Sequence, residues 1–556
     1  MNDNENRGIT TIRIEGPYCA QRMVGMSISR RSFLTALGTT ALGPGLVPGM
    51  PALLSRSGAA KPNVLFISVD DLRPQLKCYG HSRMISPHMD SLAESGVLFE
   101  RAYCQVPVCG ASRASLLTGL RPTRSRFLDY YSNACNDASL EQTLPRHFQE
   151  NGYYTVSYGK IFHQGDCPRA WDVEEVPGSA GWRDYYQASG KPFWEAPEAA
   201  DNVYAGGKVT DKALAELQRV RNRDKPTFLA VGFYKPHLPF NAPRKYWDRY
   251  DPEDLDLADN PFSPEHCPPV ALHNWGELRD YDGIPGDGPL DEQTARKLIH
   301  GYYACVTYTD AQIGRILDEL DNRGMRENTV VVLWGDHGWQ LGEHGLWCKH
   351  SNFETSLHSP LIVSAPGISG GKHTAALTEF VDIFPSLCDL CGISKPSHLE
   401  GTSFAPLLSN PSQPWKEAVF SRYHDGDSIR TDRYRYTTYT ESGGEPKGKM
   451  LYDHDNDPGE NTNIAGLEEN AGIVDEMERK LSLGWEQFVP TESTAASPVP
   501  RSAAPHSLIG WRAKKASGHF SLSGRRMESN SAAQPAPGVS FRGGKARVRL
   551  PFHKGR

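Results

Sequence analysis

"NVLFISVDD", residues 63–71, is a run of mostly apolar residues that ends in two aspartates. Its β-branched and aromatic content reads as a strand buried on both faces. The paired carboxylates mark where the chain leaves the core. The pattern recurs. "YYTVSYGK" from Tyr153 runs into Lys160 and, in "GKIFH", His163. "TFLAVGFYKPH" from Thr227 ends in Lys235 and His237, and "TVVVLWGDHG" from Thr329 ends in Asp336 and His337. "PLIVSAPG" from Pro360 is a further buried strand, and helical patterns such as "TARKLIHGYYACVTYTDAQIGRILDELDNRG" lie between. This alternation predicts an α/β fold, a large mostly parallel sheet flanked by helices on both faces. Ligands of such sheets bind outside the carboxyl ends of the strands. Four strands with reactive ends therefore point to one site at one edge.

The pattern changes after residue 410. "AVFSRYHDGDSIRTDRYRYTTYT" alternates as antiparallel strands do, and "MLYDHDNDPGENTN" reads as strand then turn. Residues 410–490 are expected to form a small antiparallel β-rich subdomain ending in a helix, after a catalytic α/β domain over 61–409.

The 556 residues are 38% hydrophobic and 23% charged, as in water-soluble globular chains. The formal charge is −6, which argues against nucleic acid as a partner. That charge is unevenly spread. Residues 491–556 carry twelve Lys/Arg and two Asp/Glu, a balance of +10 that leaves −16 for residues 1–490. Rich in Ser, Ala, Gly and Pro, they are expected to be a disordered basic tail. Eleven cysteines in so long a chain make no disulfide framework and no zinc spacing. The pair Cys388 and Cys391 in "FPSLCDLCGI" reads as core packing. Near the start, "SISRRSFLTALGTTALGPGL" places Arg30 and Arg31 before a short apolar stretch, like a twin-arginine export signal. Residues 1–60 are thus expected to be an extension carrying that signal. No segment is long and apolar enough for a stable membrane span. The expected destination is export, to the periplasm or beyond the cell, with the twin-arginine translocase as a partner.

Asp70, Asp71 and Asp336 would repel one another at close range unless a cation sat among them. Three carboxylates suit a hard divalent ion such as Ca²⁺ or Mg²⁺. Arg113, Lys160, His163, His237 and Lys349 would surround the same place, and cations beside a metal call for an anionic ligand such as sulfate or phosphate. Arg113 lies one helical turn beyond Cys109 in "PVCGASRASLLTGLRP" (107–122), so both face one side of a helix. The residues alone leave Cys109 open as a buried thiol, a metal ligand, a nucleophile or a modified side chain.

"CGASRASLLTG" resembles the signature of the type I sulfatases, Cys-x-Pro/Ala-Ser-Arg followed by Leu-Thr-Gly, in the alkaline phosphatase superfamily. "VDD", "GKxxH", "KPH", "DHG" and the lysine of "KHSN" follow in that family's order, over roughly residues 61–490. "LAVGFYKPHLPF", "DHGWQLGEHGLW" and "KHSNFETSLHSPLI" are most similar to its iduronate-2-sulfatase branch. The resemblance implies that Cys109 is oxidised after translation to Cα-formylglycine by a formylglycine-generating or sulfatase-maturating enzyme. The aldehyde hydrate would attack sulfur with one oxygen and release sulfate with the other. It also implies that Asp70, Asp71, Asp336 and His337 bind one divalent metal, Ca²⁺ in most members, with residue 109 beside it. Arg113 and Lys160 would hold formylglycine and sulfate, His163 would draw a proton to free sulfate, and His237 and Lys349 would bind sulfate and assist the leaving oxygen. Lys235 is left outside the site. Ala111 replaces the frequent Pro of the signature, and His337 stands where many members have Asn.

The implied substrate is a sulfated carbohydrate, a 2-O-sulfated uronic acid by the branch resemblance. Its carboxylate would need a further cation, for which Arg430, Arg433 and Arg435 are candidates. Alternation along one strand puts Arg433 and Arg435 on one face and Arg430 on the other. Trp339 is a candidate wall for the sugar ring. Two competing readings are a phosphonate or phosphate ester hydrolase of the same superfamily, and a sulfated-glycan-binding protein with unmodified Cys109.

Overall fold

The computed structural model describes residues 61–163, 167, 169–175, 183–220 and 223–490. The twin-arginine segment and the basic tail lie outside the described residues.

The main sheet has eight strands: β1 (Asn63–Val69), β2 (Val97–Phe99), β3 (Tyr154–Gly159), β4 (Val173–Glu175), β5 (Thr227–Phe233), β6 (Thr329–Gly335), β7 (Leu361–Ser364) and β8 (Lys372–Thr374). Their order across the sheet is β8-β2-β7-β6-β1-β5-β3-β4. The neighbours from β6 to β4 pair in parallel. "PLIVSAPG" supplies β7, which runs antiparallel to both β6 and β2.

Alternate residues of β1 serve different cores, which is why its sequence is apolar throughout. Leu65, Ile67 and Val69 face one core with α1 (Pro87–Ser95), α3 (Ala205–Val220) and α5 (Glu292–Asn322). Val64 and Phe66 face the other, with α2 (Cys109–Thr118). Cys388 and Cys391 are buried in that second core, as packing residues. One disulfide, Cys135–Cys167, is present, which spacing alone did not reveal. A four-residue turn of helix, α4 (Gly276–Arg279), precedes α5. Among the described residues no helix is long and apolar enough to cross a membrane.

A four-stranded antiparallel sheet follows, in chain order: β9 (Ala418–Tyr423), β10 (Gly426–Thr431), β11 (Tyr434–Thr440) and β12 (Pro446–Asp453). The helix α6 (Ala471–Leu483) covers it through Val474 and Met477, which meet Ile429, Tyr436 and Leu451.

A buried ion cluster ties this sheet to the segment after α2. Glu379 accepts from Arg121 Nη1 and Nη2 at 2.6 Å each and from Lys416 Nζ at 2.7 Å. Burial would raise the Glu379 carboxyl, but Arg121 and Lys416 outweigh it and hold the pKa at about 2, against an ordinary 4.5. A depressed carboxyl stabilises the fold above its unfolded pKa and loses that contribution as pH falls through the folded one. The Glu379 contribution should therefore be complete above about pH 4.5 and vanish towards pH 2. Glu379→Gln leaves buried Arg121 without its paired carboxylate and Lys416 with Asp382 alone, and should cost about 3 kcal/mol at neutral pH. Thermal denaturation against pH checks this: the gap between wild type and variant should close below pH 4.5. A gap independent of pH would reject the ionic explanation.

Candidate active site

The four strands with reactive ends are immediate neighbours, β6-β1-β5-β3. Their carboxyl ends thus bring Asp336, Asp70, His237 and Lys160 to one edge. Asp71 turns out of β1 with φ 58°, a left-handed conformation that costs a non-glycine residue energy and needs support. Its N–H donates to Asp336 Oδ1 at 2.9 Å, and its carbonyl accepts from Tyr302 Oη at 3.0 Å. Lys349 is held similarly, between Cys348 at φ 74° and His350 at φ 75°.

Cys109 is the first residue of α2 and is 3% exposed. Ser112 Oγ donates to the Asp336 carbonyl at 2.5 Å, which pins the helix to the end of β6. At Gly110 a Cβ would lie 2.4 Å from the Tyr130 carbonyl oxygen, so only glycine lets the following loop close over the helix start. The Cys109 Sγ, one oxygen each of Asp70 and Asp71, and a His237 nitrogen lie within 4.8 Å of one another. Cys109, Asp336 and His337 meet the same limit.

Arg113 is wholly buried and braces this group. Its Nε donates to Asp336 Oδ2 at 2.9 Å, its Nη2 to Asp70 Oδ1 at 3.2 Å, and its Nη1 to the carbonyls of Lys160 and Ile161. Lys160 Nζ lies 2.5 Å from Asp70 Oδ2. Lys349 Nζ lies 3.2 Å from Asp71 Oδ1. His163 lies against the Cys109 thiol and helps lower its pKa; neither of its ring nitrogens is hydrogen-bonded elsewhere among the described residues. His237 turns Nδ1 to the Leu238 carbonyl at 2.6 Å and Nε2 towards Glu277 Oε1 at 3.1 Å.

Burial would raise the Cys109 thiol, but Lys160 and Lys349 outweigh it and hold the pKa well below the usual thiol value. Asp70 follows the same pattern, with Lys160 and Arg113 overcoming its burial. Asp71 does not: burial takes it up to about 7 despite His237 and Lys349. Burial also raises Asp336. His337 completes the test for a metal. Its Nδ1 faces the Gly338 carbonyl at 2.8 Å, which leaves Nε2 to point inward, buried and without a hydrogen bond, 3.4 Å from Asp71 Oδ1. A carbonyl-anchored imidazole with its other nitrogen among carboxylates is the usual arrangement of a metal-ligating histidine. The donor set, rich in oxygen, fits one hard divalent cation.

Three expectations are corrected. Arg430 lies on β10 and Arg435 on β11, directly opposite each other, because the chain turns between them. They share a face, and Arg433 falls in the turn, paired with Asp453. Both Arg430 and Arg435 are buried against Glu354, and Arg435 also meets Glu460. They knit the small sheet to the large domain, and their guanidiniums are spent on Glu354 and Glu460, not offered to a substrate carboxylate. Trp339 is 1% exposed and stacks on Tyr302 at 6.5 Å, so it backs the Lys349 ammonium instead of walling a sugar pocket. Lys235, which the sequence reading leaves outside the site, donates from Nζ to the carbonyls of His237 and Pro239 and shapes their loop.

One residue went unread. Glu277 on α4 contacts both Lys349 Nζ, at 2.8 Å, and His237 Nε2. It sits in "NWGELRDYDG" (274–283), with no strand ahead of it and no periodicity to flag it.

Residues 62–393 match the family model described as Sulfatase, and residues 342–486 match N-sulphoglucosamine sulphohydrolase, C-terminal. Iduronate 2-sulfatase of Mus musculus is 30% identical over 552 residues, covering 82% of this chain and 97% of the relative. The Homo sapiens enzyme is 34% identical over 390 residues, 62% of this chain and 71% of the relative. A solved structure of a protein in complex with its substrate D-glucosamine-2-N,6-O-disulfate superposes with a TM-score of 0.65 at 25% identity. That superposition covers 77% of this chain and 98% of the other. A matched family model spanning more than half of the sequence, on a fold that gathers the signature residues at one sheet edge, identifies the chain as a member of the sulfatase family.

Proposed function

We propose that this sulfatase hydrolyses the sulfate ester of a 2-O-sulfated uronic acid in a sulfated carbohydrate, with Cys109 converted to Cα-formylglycine. The observation that carries the chemistry is Cys109 at a helix start, within 4.8 Å of the Asp70, Asp71, Asp336 and His337 ligand atoms in two overlapping groups. Formylglycine hydrate supplies two hydroxyls on one carbon, one nucleophilic towards sulfur and one whose loss of a proton frees sulfate. A divalent cation, Ca²⁺ by family resemblance, held by Asp70, Asp71, Asp336 and His337, supplies Lewis-acid charge for the transferring group.

The remaining work belongs to the side chains around this centre. Arg113 fixes the carboxylates, and Lys160 and Lys349 offer positive charge to sulfate oxygens. His237 gives a proton to the leaving oxygen as the S–O bond breaks. His163, beside residue 109, receives the hydroxyl proton that accompanies sulfate release. Arg30 and Arg31 direct export; cell fractionation of the double Lys variant is the check.

The sugar assignment is supported by the iduronate 2-sulfatase relatives. Sulfate release should be measured from 2-O-sulfated uronate disaccharides, 6-O-sulfated hexosamines, choline sulfate and an aryl sulfate. The uronate should give the highest kcat/KM. Equal or better turnover of choline sulfate or a hexosamine sulfate would defeat the uronate assignment and leave sulfate-ester hydrolysis in place.

A further inference from the structure

One carboxylate in the site has no part in the reaction outlined above. Glu277 Oε1 lies 2.8 Å from Lys349 Nζ and 3.1 Å from His237 Nε2. Its side chain is 21% exposed, whereas Lys349 is 2% and His237 11% exposed. Glu277 thus stands on the solvent side of both cations. Asp71 stands on the inner side, 3.2 Å from Lys349 and 3.9 Å from His237. Each cation is strung between the inner carboxylate and Glu277.

The backbone beneath Glu277 is set by contacts away from the site. Trp275, buried, opens α4 at φ 44°. Arg279 lays its guanidinium 3.4 Å from the centre of the Trp275 ring and donates to the carbonyls of Asn274 and Gly288 at 2.8 Å each. Leu278 is 1% exposed. The Glu277 backbone is therefore fixed by contacts other than its own carboxylate's ion pairs, so the carboxylate can set where Lys349 and His237 point.

That position matters because lysine carries a point charge on a flexible stem. With Glu277 neutral, Asp71 would be the remaining strong acceptor for Lys349, and the ammonium would settle inward. His237 would lose the nearer carboxylate partner of its Nε2. A fixed negative charge at the same two cations also competes with a bound sulfate group, and more so with the free sulfate product, a dianion, than with the singly charged sulfate group of the ester.

We propose that Glu277 is a positioning residue that holds Lys349 and His237 towards the leaving oxygen and weakens retention of inorganic sulfate. The inference rests on the reading that sulfate binds at Lys349 and His237. The test uses the full-length matured enzyme with a sugar sulfate that the wild type turns over and an aryl sulfate whose leaving group needs little protonation. Glu277→Gln should lower kcat on the sugar sulfate roughly tenfold more than on the aryl sulfate, a fraction of a full general-acid contribution. Inorganic sulfate should inhibit this variant roughly tenfold more tightly than wild type, because a like charge is gone from the anion site. Glu277→Asp keeps the charge on a shorter stem; its sulfate inhibition should stay near wild type while part of the leaving-group selectivity is lost. Melting temperatures confirm that each variant is folded, and the Asp variant carries the test if the Gln variant is not. Equal losses on both substrates, or unchanged sulfate inhibition with Gln, would overturn the proposal. Lys349→Met separates the underlying reading: if it does not relieve sulfate inhibition, the sulfate position is wrong, whatever Glu277 does.

Discussion

Cys109→Ala should abolish sulfate-ester hydrolysis, with a loss of at least about 10⁴-fold in kcat, the scale on which removing a nucleophile acts. The fold should survive. Cys109 opens α2, whose packing rests on Ala111, Ala114, Leu116 and Leu117 in the core. Alanine is a good helix former, so the stability change should be about 1 kcal/mol or less. Mass spectrometry of the peptide spanning residue 109 from native-host material supplies the chemical half of the test. The peptide should be lighter than the cysteine form by the difference between CH₂SH and CHO. Only unmodified cysteine in active native material would refute the formylglycine mechanism. A Cys109→Ala protein with wild-type turnover would refute any role for this side chain.

Asp336→Ala should have the second-largest effect, on activity and stability together. Asp336 accepts from Arg113 Nε and from the Asp71 N–H, each at 2.9 Å. Its removal leaves a buried guanidinium short of a partner and an orphaned N–H beneath the strained Asp71. Breaking one partner of a buried ion pair costs about 3–5 kcal/mol. A cation bound only by the folded state adds stability that the variant should also lack. Wild type should therefore lose activity and melt at a lower temperature after metal removal, and added Ca²⁺ or Mg²⁺ should restore both. Asp336→Ala should show a melting temperature that hardly responds to chelator or metal. Full wild-type activity after verified metal removal would reject the assignment of these carboxylates to a metal.

Some of this design is legible in one dimension. A strand buried on both faces must be apolar along its whole length, so "NVLFISVDD" and its counterparts declare both their conformation and the point where they leave the core. Reactive residues at those exits follow from the same local rule. Cys109 and Arg113 share a helix face because four residues make about one turn. The glycine at 110 is also local in appearance, but its reason, the Tyr130 carbonyl crossing above it, is not.

Tertiary structure decided what periodicity cannot carry. Strand pattern does not state strand neighbours; the order β6-β1-β5-β3 is what makes four separate exits one site. It does not state direction, so β7 emerges antiparallel although its sequence reads like the others. One alternating run became two strands when the chain turned at Asp432 and Arg433, which moved Arg430 and Arg435 onto one face and into ion pairs with Glu354. Glu277 reaches a lysine 72 positions away through a turn held by Trp275 and Arg279, and nothing in its own neighbours announces that contact. The sequence by itself determined the strands, their exits and the cysteine–arginine helix, because those depend on residues within a turn or a strand of one another. Which charges meet, and which are neutralised before a substrate arrives, depends on distances between segments far apart along the chain, and only the folded packing sets those.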